Sequence, residues 1–372
     1  MELTRREMNL RVFRRQPLPH VFFQPRFEPW YAWHRDTGTL PERVRGLSLP
    51  QIYDLLNASM RSVHYYTGQP DPIEGSFAPE VRVTSERQGE LTRRRYDTPH
   101  GSLCETHRFT VDRTWRTLEF AAKRPEDLPA LRWLVERRRL GFNVEKFKAG
   151  SAYIGDRGEA HFWVPKSPYF ALAQQWMKYE DFVCALAEDP AQVEDLMRAI
   201  DESYNALYQQ LCSCSLLKIL NFGENIDMAY LSPRYFEKYV IPWYEKRAGQ
   251  HRAAGIFTHI HIDGNFKPLL PYLRHLPFEG LEALTPLPQG DVSLEEMHEH
   301  MGDKILLDGI PAVLFLDHHP REALQECVEK IVKFFHPRLV LGISDELPQG
   351  GNEESFERLE WVSRYCLRTG AA

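Results

Sequence analysis

The chain has 372 residues, of which 43% are apolar and 12% aromatic, enough to bury one large hydrophobic core. Its formal net charge of −6 leaves no basic footprint for nucleic acid or an anionic membrane. No apolar run approaches the roughly 20 residues of a membrane span, and the N-terminus lacks the apolar region of a secretory signal. The six scattered cysteines are typical of a reducing compartment. We therefore expect a cytoplasmic globular protein.

The first third of the chain mixes helices with polar strands. After a predicted N-terminal helix, residues 20–26 (HVFFQPR) predict a short buried strand, and residues 50–66 predict a helix. Residues 79–123 alternate polar with β-branched or aromatic side chains and break at Gly89 and at 99–101. This pattern predicts a meander of antiparallel strands that departs from the main fold.

From about residue 125 onward, helical and strand patterns alternate. Asp189 and Pro190 open the helix predicted over 189–211 as N-cap and first helical residue. Helices are predicted over 189–211, 232–254, 265–276, 293–302, 320–337 and 353–367, and strands over 216–225, 255–265, 280–286, 304–310 and 338–346. Short apolar strands separated by single helices indicate parallel βαβ units.

The length suits a (β/α)8 TIM barrel, which takes roughly 250 residues plus insertions. A doubly wound sheet is the alternative, but the chain has no glycine-rich dinucleotide turn and no P-loop. We predict an α/β protein in which residues 1–372 form a single TIM-barrel domain, with residues 79–123 as an antiparallel excursion within it.

The stretch FTHIHIDGN, residues 257–265, places polar side chains at alternate positions of a buried strand. His259, His261 and Asp263 fall on one face, and His261 and Asp263 lie at the C-terminal end, where barrel enzymes place their chemistry. Burying such groups is costly unless they are paired or bind a cation. A hydrogen-bonded His–Asp network that fills the barrel and a functional site are both consistent with the pattern.

Other predicted strands also end in acidic residues. Glu224 ends the strand over 216–225, Asp308 ends the strand over 304–310, and Asp345 and Glu346 end the strand over 338–346. Since the C-terminal ends of parallel strands meet at one end of a barrel, these carboxylates are expected near His261.

One imidazole and two carboxylates can form an open metal site with a position left for water or substrate. We predict Glu224, His261 and Asp263 as ligands of Zn²⁺ or another divalent cation, and His261, Glu224 and Asp345 as catalytic residues. Without a metal, His261 would act as general acid or base, oriented by a neighbouring carboxylate. His259, which lies one layer deeper, is interpreted as a packing or supporting residue.

Five blocks of the sequence resemble the uroporphyrinogen decarboxylase-like superfamily. They are residues 4–23, 223–246 (GENIDMAYLSPRYFEKYVIPWYEK), 261–273, 284–311 and 341–362 (LGISDELPQGGNEESFERLEWV). The similarity spans nearly the whole chain and is greatest from about 215 to 365. It implies a (β/α)8 barrel, and it implies one of two chemistries, cofactor-free decarboxylation or corrinoid-dependent methyl transfer.

The decarboxylase branch carries paired arginines in a loop after the first strand, and a Gly-His-Gly turn near the C-terminus. Here the first loop retains only Arg26, and the late turn LGISDELP has no histidine. A decarboxylase-like lyase that acts on a smaller carboxylate, with Arg26 as anchor and His261 as proton donor, is the alternative function.

The methyltransferase branch binds zinc through a His-x-Cys motif on the strand of His261 and a second cysteine on the last strand. His261 matches the histidine, Asp263 stands at the first cysteine, and Leu341–Gly342 stand in place of the second. The resemblance therefore implies zinc held by harder ligands, suited to activating an ether oxygen. It points to an O-demethylase-like enzyme that transfers a methyl group from a methoxylated aromatic substrate to a corrinoid protein.

An aromatic ether would be recognised by aromatic side chains near the strand ends. We predict Arg26, Phe22, Trp30 and Phe222 as substrate-binding residues, with Tyr31 and Trp33 close by; packing at the barrel mouth is the alternative role for these aromatic residues. The expected partners are the small-molecule methyl donor, a corrinoid protein and a second copy of the chain in a homodimer. A barrel that binds a corrinoid or another small ligand without catalysis is a further alternative.

Overall fold

A computed structural model describes residues 3–111 and 114–370; positions 112 and 113, within the predicted meander, lie outside the described residues. The chain folds into two units, each with its own packed interior. The barrel unit comprises residues 1–72, 143–164 and 214–372, and the sheet unit comprises residues 73–142 and 165–213.

The strands of both units are short, as the sequence patterns indicate. In chain order they are β1 (Phe22–Phe23), β2 (Ile73–Phe77), β3 (Arg82–Gln88), β4 (Leu91–Thr98), β5 (Gly101–Phe109), β6 (Trp115–Glu119), β7 (Arg138–Phe142), β8 (Trp163–Val164), β9 (Ile219–Ile226), β10 (Phe257–Ile262), β11 (Gly280–Glu282), β12 (Ile305–Pro311) and β13 (Leu339–Ser344).

The α-helices carry the connections between strands and close the chain ends. They are α1 (Arg5–Phe13), α2 (Glu28–Thr37), α3 (Leu49–Leu55), α4 (Leu128–Glu136), α5 (Val144–Ile154), α6 (Pro168–Ala171), α7 (Tyr179–Glu188), α8 (Pro190–Ser203), α9 (Asn205–Ser213), α10 (Pro233–Tyr235), α11 (Ile241–Ala253), α12 (Leu294–Met301), α13 (Arg321–Phe335) and α14 (Glu353–Arg368).

The barrel unit contains a seven-stranded sheet in the order β1-β13-β12-β11-β10-β9-β8, with all neighbours parallel. Residues 59–63 bridge its two edges. On one side the Ser59 amide donates to the Phe23 carbonyl at 2.9 Å, and on the other the Val63 amide donates to the His161 carbonyl at 3.0 Å. This extended segment acts as the eighth strand, and the predicted (β/α)8 barrel is confirmed.

That segment was predicted as the second half of a helix over 50–66, which is wrong. Helix α3 ends at Leu55, and Asn57 adopts φ 44°, the left-handed conformation that terminates many helices. The chain then runs extended, and Ser62 pairs with His161 in a parallel bridge. The polar side chains between 57 and 64 therefore belong to a barrel strand.

Two other helical predictions differ in detail. The predicted helix over 189–211 is divided at Tyr204 into α8 and α9. The segment predicted as a helix over 265–276 forms 3₁₀ turns over Lys267–His275, because Pro271 lies inside it and cannot donate a helical hydrogen bond.

The sheet unit contains the predicted antiparallel meander. Strands β3 to β6 pair in sequence order as a four-stranded antiparallel sheet within the predicted span of 79–123. Strands β2 and β7 form a separate antiparallel pair. A single π-helical turn, Leu172–Trp176, follows α6 in this unit.

Helix α1 closes the N-terminal end of the barrel. Its start is fixed by a capping box, in which the Thr4 hydroxyl accepts from the Glu7 amide and the Glu7 carboxylate accepts from the Thr4 amide. The helix buries Met8, Val12 and Phe13 in a cluster whose other members come from the bottoms of the strands and the adjoining loop. Those members are Leu18, Phe22, Ile219, Ile305, Leu307 and Val340.

No helix in the described parts of the chain is both long and apolar enough to cross a membrane.

We expect Phe13→Ala to lower the free energy of unfolding by about 3 kcal/mol, because the ring fills the apolar base of the barrel between α1 and the strands. Urea unfolding followed by circular dichroism measures the loss. Leu55→Ala, at a site that is 55% exposed, serves as control and should stay within about 0.5 kcal/mol of the wild type. Similar losses in both variants would contradict the assignment of Phe13 to the core.

Candidate functional site

Strand β10 carries a row of polar side chains along the inside of the barrel. His259 and His261 are both buried, and both approach Glu282 on the neighbouring strand β11. Nδ1 of His259 lies 2.9 Å from Oε2 of Glu282, whereas Nδ1 of His261 lies 3.7 Å from Oε1. The two imidazoles thus occupy successive layers of the lumen.

At the C-terminal end of the barrel, His261, Asp263 and Asp345 come together as a candidate metal centre. One potential ligand atom from each lies within 4.8 Å of the other two, and Nε2 of His261 is 3.8 Å from Oδ1 of Asp345. Asp263 is held by the amide of Gly264, which donates to its Oδ1 at 2.7 Å. Gly264 has φ 61°, and an added Cβ would lie 2.0 Å from an oxygen of Asp227, so a side chain here would be strained and would displace Asp227.

Below this group, Glu282 is the most heavily contacted carboxylate of the lumen. Its Oε1 accepts from the Arg61 guanidinium at 2.6 Å, and its Oε2 accepts from the Asn221 amide and faces His259. The side chain is fully buried. A carboxylate in this position is stable as an anion only because a cation and several donors surround it.

Arg61 supplies that cation from the eighth barrel strand. Besides Glu282, it donates to both oxygens of Asp308, at 2.6 and 3.1 Å, and to Oε1 of Gln24 at 3.0 Å. Asp308 has φ 77°, a conformation that is uncommon for any residue other than glycine and that persists where surrounding contacts enforce it. The bidentate pair with Arg61 is such a contact.

Arg26 is a second buried cation, and it lies directly beside the candidate metal centre. Its guanidinium pairs with Asp345 and lies 3.6 Å from Glu282 and 3.7 Å from Glu346. Tyr65 and Trp163 flank it, with ring centroids 5.2 and 5.9 Å from the guanidinium carbon. Tyr65 also donates to Glu346 at 2.8 Å. One cation therefore links three carboxylates and two aromatic rings.

The lumen carboxylates differ in their affinity for protons. Burial favours the protonated form of Glu282, but Arg61 and the histidines outweigh it and hold its pKa well below the usual range. Burial raises the pKa of Asp308 to about 6, because the attraction of Arg61 only partly offsets it. Burial also raises the pKa of Glu346 to about 7 against the charge of Arg26.

The buried histidines also differ in the direction in which their pKa values are shifted. Burial lowers the pKa of His259 and, more strongly, that of His161, whose ring packs edge-on against His259 at 5.0 Å. For His261, burial is outweighed by the charges of Asp345 and Glu282, which raise its pKa. The imidazole at the candidate metal centre therefore lies in the most negative surroundings of the three.

Glu224 and Phe222 lie on the opposite face of β9 from the predicted one. Asn221 reaches Glu282 inside the barrel, so the alternating residues Phe222 and Glu224 point towards the helices. Phe222 packs against Trp243 and Phe278.

Glu224 contacts the Tyr244 hydroxyl on α11 rather than the lumen. Burial raises the pKa of that hydroxyl, and the neighbouring charge of Glu224 raises it further. Glu224 is not among the described residues that the structure brings together as potential metal ligands, and Asp345 takes its place.

The other predicted substrate contacts are distributed between the site and the core. Arg26 lies at the site, but Phe22 belongs to the apolar cluster at the N-terminal base of the barrel. Trp30 is fully buried, donates to the Gly351 carbonyl at 2.8 Å and stacks on Phe356. The aromatic rings beside the candidate metal centre are instead Tyr65 and Trp163.

Two central residues were missed from the sequence. Glu282 interrupts the apolar strand GLEALTP, and a lone acid in such a strand is a signal that could have identified it. Arg61 gave no such signal, because its segment reads as the continuation of helix α3.

Comparison with known proteins supports the fold. No family model and no curated protein sequence matches the chain. Among solved structures, the chain is similar to a methyltransferase from Methanosarcina mazei, with 14% identity, a TM-score of 0.60 and coverage of 98% of this chain and 99% of that one.

Two further solved structures are similar at lower scores. A putative vitamin-B12 independent methionine synthase from Listeria monocytogenes gives 14% identity and a TM-score of 0.44 over 94% of this chain and 97% of that one. A B12-independent methionine synthase from Shewanella gives 14% identity and a TM-score of 0.47 over 93% and 95%. The similarity to the Methanosarcina mazei protein alone supports the TIM-barrel architecture.

We expect Arg61→Met to lower the free energy of unfolding by about 3–5 kcal/mol, because it leaves Asp308 buried without its cation and Glu282 with only Arg26, 3.6 Å away. Denaturant unfolding monitored by circular dichroism gives the value. Arg35→Met removes an exposed pair with Asp36 and should change stability by less than about 0.5 kcal/mol. A comparably small effect at Arg61 would show that the buried pair is not a major stabilising contact.

Proposed function

We propose that the protein is a zinc-dependent methyltransferase that takes a methyl group from a methoxylated aromatic substrate and passes it to a corrinoid protein. The observation that carries the proposal is the convergence of His261, Asp263 and Asp345 at the C-terminal end of the barrel. The sequence blocks that resemble the corrinoid methyltransferases, and the description of the Methanosarcina mazei neighbour as a methyltransferase, support the choice of reaction class.

The three side chains have the donor chemistry that a catalytic zinc ion requires. Catalytic zinc sites use three protein ligands from nitrogen, oxygen or sulfur donors and keep one position open. His261 offers Nε2, which at 3.8 Å from Asp345 is too distant for a hydrogen bond to that carboxylate, and the two aspartates supply negative charge. A divalent cation would also neutralise the excess of acidic groups beside Arg26.

A divalent cation bound there would supply Lewis acidity to an ether oxygen and stabilise the alkoxide or phenoxide that forms when the methyl group departs. The residues of the chain would bind and orient the donor. Trp163 and Tyr65 are half-buried rings beside the ligands, and they could form one wall for an aromatic donor. Arg26 holds Asp345 in place through its guanidinium.

The acceptor in this proposal is a cob(I)alamin-type corrinoid carried by a separate protein. A reduced corrinoid is a nucleophile strong enough to take a methyl group from an activated ether, and none of the described residues beside the candidate centre is a cysteine that could accept it instead.

The contacts of Arg26 weigh against the decarboxylase-like alternative. That alternative requires Arg26 to anchor a substrate carboxylate, but its guanidinium already faces Asp345, Glu282 and Glu346. A substrate acid would have to displace one of these partners and enter a group of carboxylates.

We expect the purified protein to contain one equivalent of zinc, and His261→Ala and Asp345→Asn to lose it, since each removes a ligand. Elemental analysis of the purified variants gives the stoichiometry. Glu224→Gln is the control: it should retain the metal, because Glu224 faces α11. Loss of zinc from Glu224→Gln with retention in Asp345→Asn would reverse the assignment of these two ligands.

Methyl transfer is tested by incubation with a methoxylated benzoate and free cob(I)alamin. The visible spectrum of the corrinoid should report methylation with the wild type, the rate should fall to background in His261→Ala, and chelation should abolish it until zinc is restored. Release of carbon dioxide from a carboxylate substrate, unaffected by a chelator, would instead support the lyase alternative.

A further inference from the structure

A cavity of about 390 Å³ lies within the sheet unit, lined by strands β2, β4, β5, β6 and β7 and by the π-helical turn Leu172–Trp176. Its volume falls in the range of about 300–1,000 Å³ that small-molecule sites occupy. Single π-helical turns are rare and are frequent at functional sites. All residues of the proposed function belong to the barrel unit, so that function leaves this cavity without a role.

Arg138 on β7 brings a positive charge to the cavity without a counter-charge. Its side chain is half-buried, and the guanidinium carbon lies 5.6 Å from the ring centroid of Trp176. No described residue forms an ion pair or a side-chain hydrogen bond with this guanidinium. In a cavity beside α1, by contrast, Arg5 and Arg157 both bind Asp54. A half-buried cation that the described chain leaves unpaired is suited to an anionic ligand.

The carboxylate of Glu105 limits the charge that such a ligand can carry. Glu105 is buried, accepts from the Tyr96 hydroxyl at 2.8 Å and lies 3.3 Å from Nε2 of His107. Arg94 lies 3.7 Å from the same carboxylate and offsets its charge. Arg138 is then the uncompensated charge of the cavity, which suits a monoanion better than a phosphate dianion. A guanidinium matches a carboxylate through two parallel hydrogen bonds.

Aromatic rings supply the apolar part of the cavity. Phe77 and Tyr96 pack edge-on with their ring centroids 5.6 Å apart, and Trp176 presents its ring to Arg138. The indole N–H of Trp176 is buried and has no hydrogen-bond partner in the part of the chain that the structure describes. Flat aromatic groups pack favourably against such rings in stacked or edge-to-face arrangements. The lining therefore favours a ligand that carries a planar ring beside its charge.

We propose that this cavity binds a small aromatic monocarboxylate, with the carboxylate on Arg138 and the ring against Phe77, Tyr96 and Trp176. A charge-assisted contact of this kind contributes about 10–100-fold to affinity. The test below contains neither a metal ion nor a corrinoid, so its outcome is independent of the proposed function.

The indole N–H of Trp176 reports binding at this cavity directly. In ¹H–¹⁵N spectra of the full chain, its signal, assigned by its loss in Trp176→Phe, should shift on titration with benzoate and give a dissociation constant. Acetate, which lacks the ring, should bind at least about 10-fold more weakly. An indole signal that benzoate leaves unmoved, equal affinity for acetate, or tighter binding of inorganic phosphate would each overturn the proposal, even if the arginine variant does not fold.

Substitution of the arginine tests the contact with the carboxylate. The dissociation constant for benzoate, followed on the same signal, should rise about 10–100-fold in Arg138→Met. Arg139→Met is the matched control: the next residue on β7 is exposed and lies on the opposite face of the strand, so the constant should stay at the wild-type value. Unchanged affinity in Arg138→Met, or equal weakening in both variants, would contradict a carboxylate site on Arg138.

Discussion

The pairing of Arg61 with Glu282 and Asp308 in the centre of the barrel is the interaction on which the rest of the site depends. Two carboxylates and two imidazoles in a lumen without a cation would lose far more hydration than they regain. Arg61 offsets that cost, and it can do so only because residues 59–63 form a barrel strand instead of a helix. Because helix α3 ends at Leu55, the residues that follow can close the sheet and place Arg61 in the lumen.

The charged side chains of Arg61, Glu282 and Asp308 form an ionic layer across the lumen, which separates two regions of different character. Below it, α1 and the N-terminal ends of the strands form an apolar cluster that includes Phe13 and Phe22. Above it, His261, Asp263 and Asp345 lie where the strands open, and the side chain of Asp345 is 35% exposed. TIM barrels usually fill their lumen with branched apolar side chains. A charged layer there lowers the stability of the barrel relative to an apolar one, and in return it supports the polar groups at the mouth.

The sequence predicted the architecture better than it predicted the site. Alternation along β10 placed His261 and Asp263 together, because a strand with polar residues at every second position has only one plausible inner face. On β9 the same logic failed. Its polar residues, Asn221 and Glu224, are three apart and so face opposite sides, and the inner face goes to Asn221 because Glu282 accepts its amide proton. That contact joins residues 61 positions apart, and local patterning carries no information about it.

The Arg61–Asp308 pair also bears on the position at which the resemblance to the methyltransferases would place a second cysteine ligand. At Gly342, an added Cβ would lie 2.5 Å from Oδ1 of Asp308 and 2.7 Å from the Gln24 carbonyl, so the Arg61–Asp308 pair fills the space that a side chain on this strand would need. On the last strand, Asp345 lies beyond this residue and reaches the mouth, and the proposed function takes its ligand there. With Asp263 as the second proposed carboxylate, a cation at this site would meet only nitrogen and oxygen donors. Such a set leaves a bound cation more electron-poor than thiolates would, and it suits the activation of an oxygen leaving group better than that of a thiol.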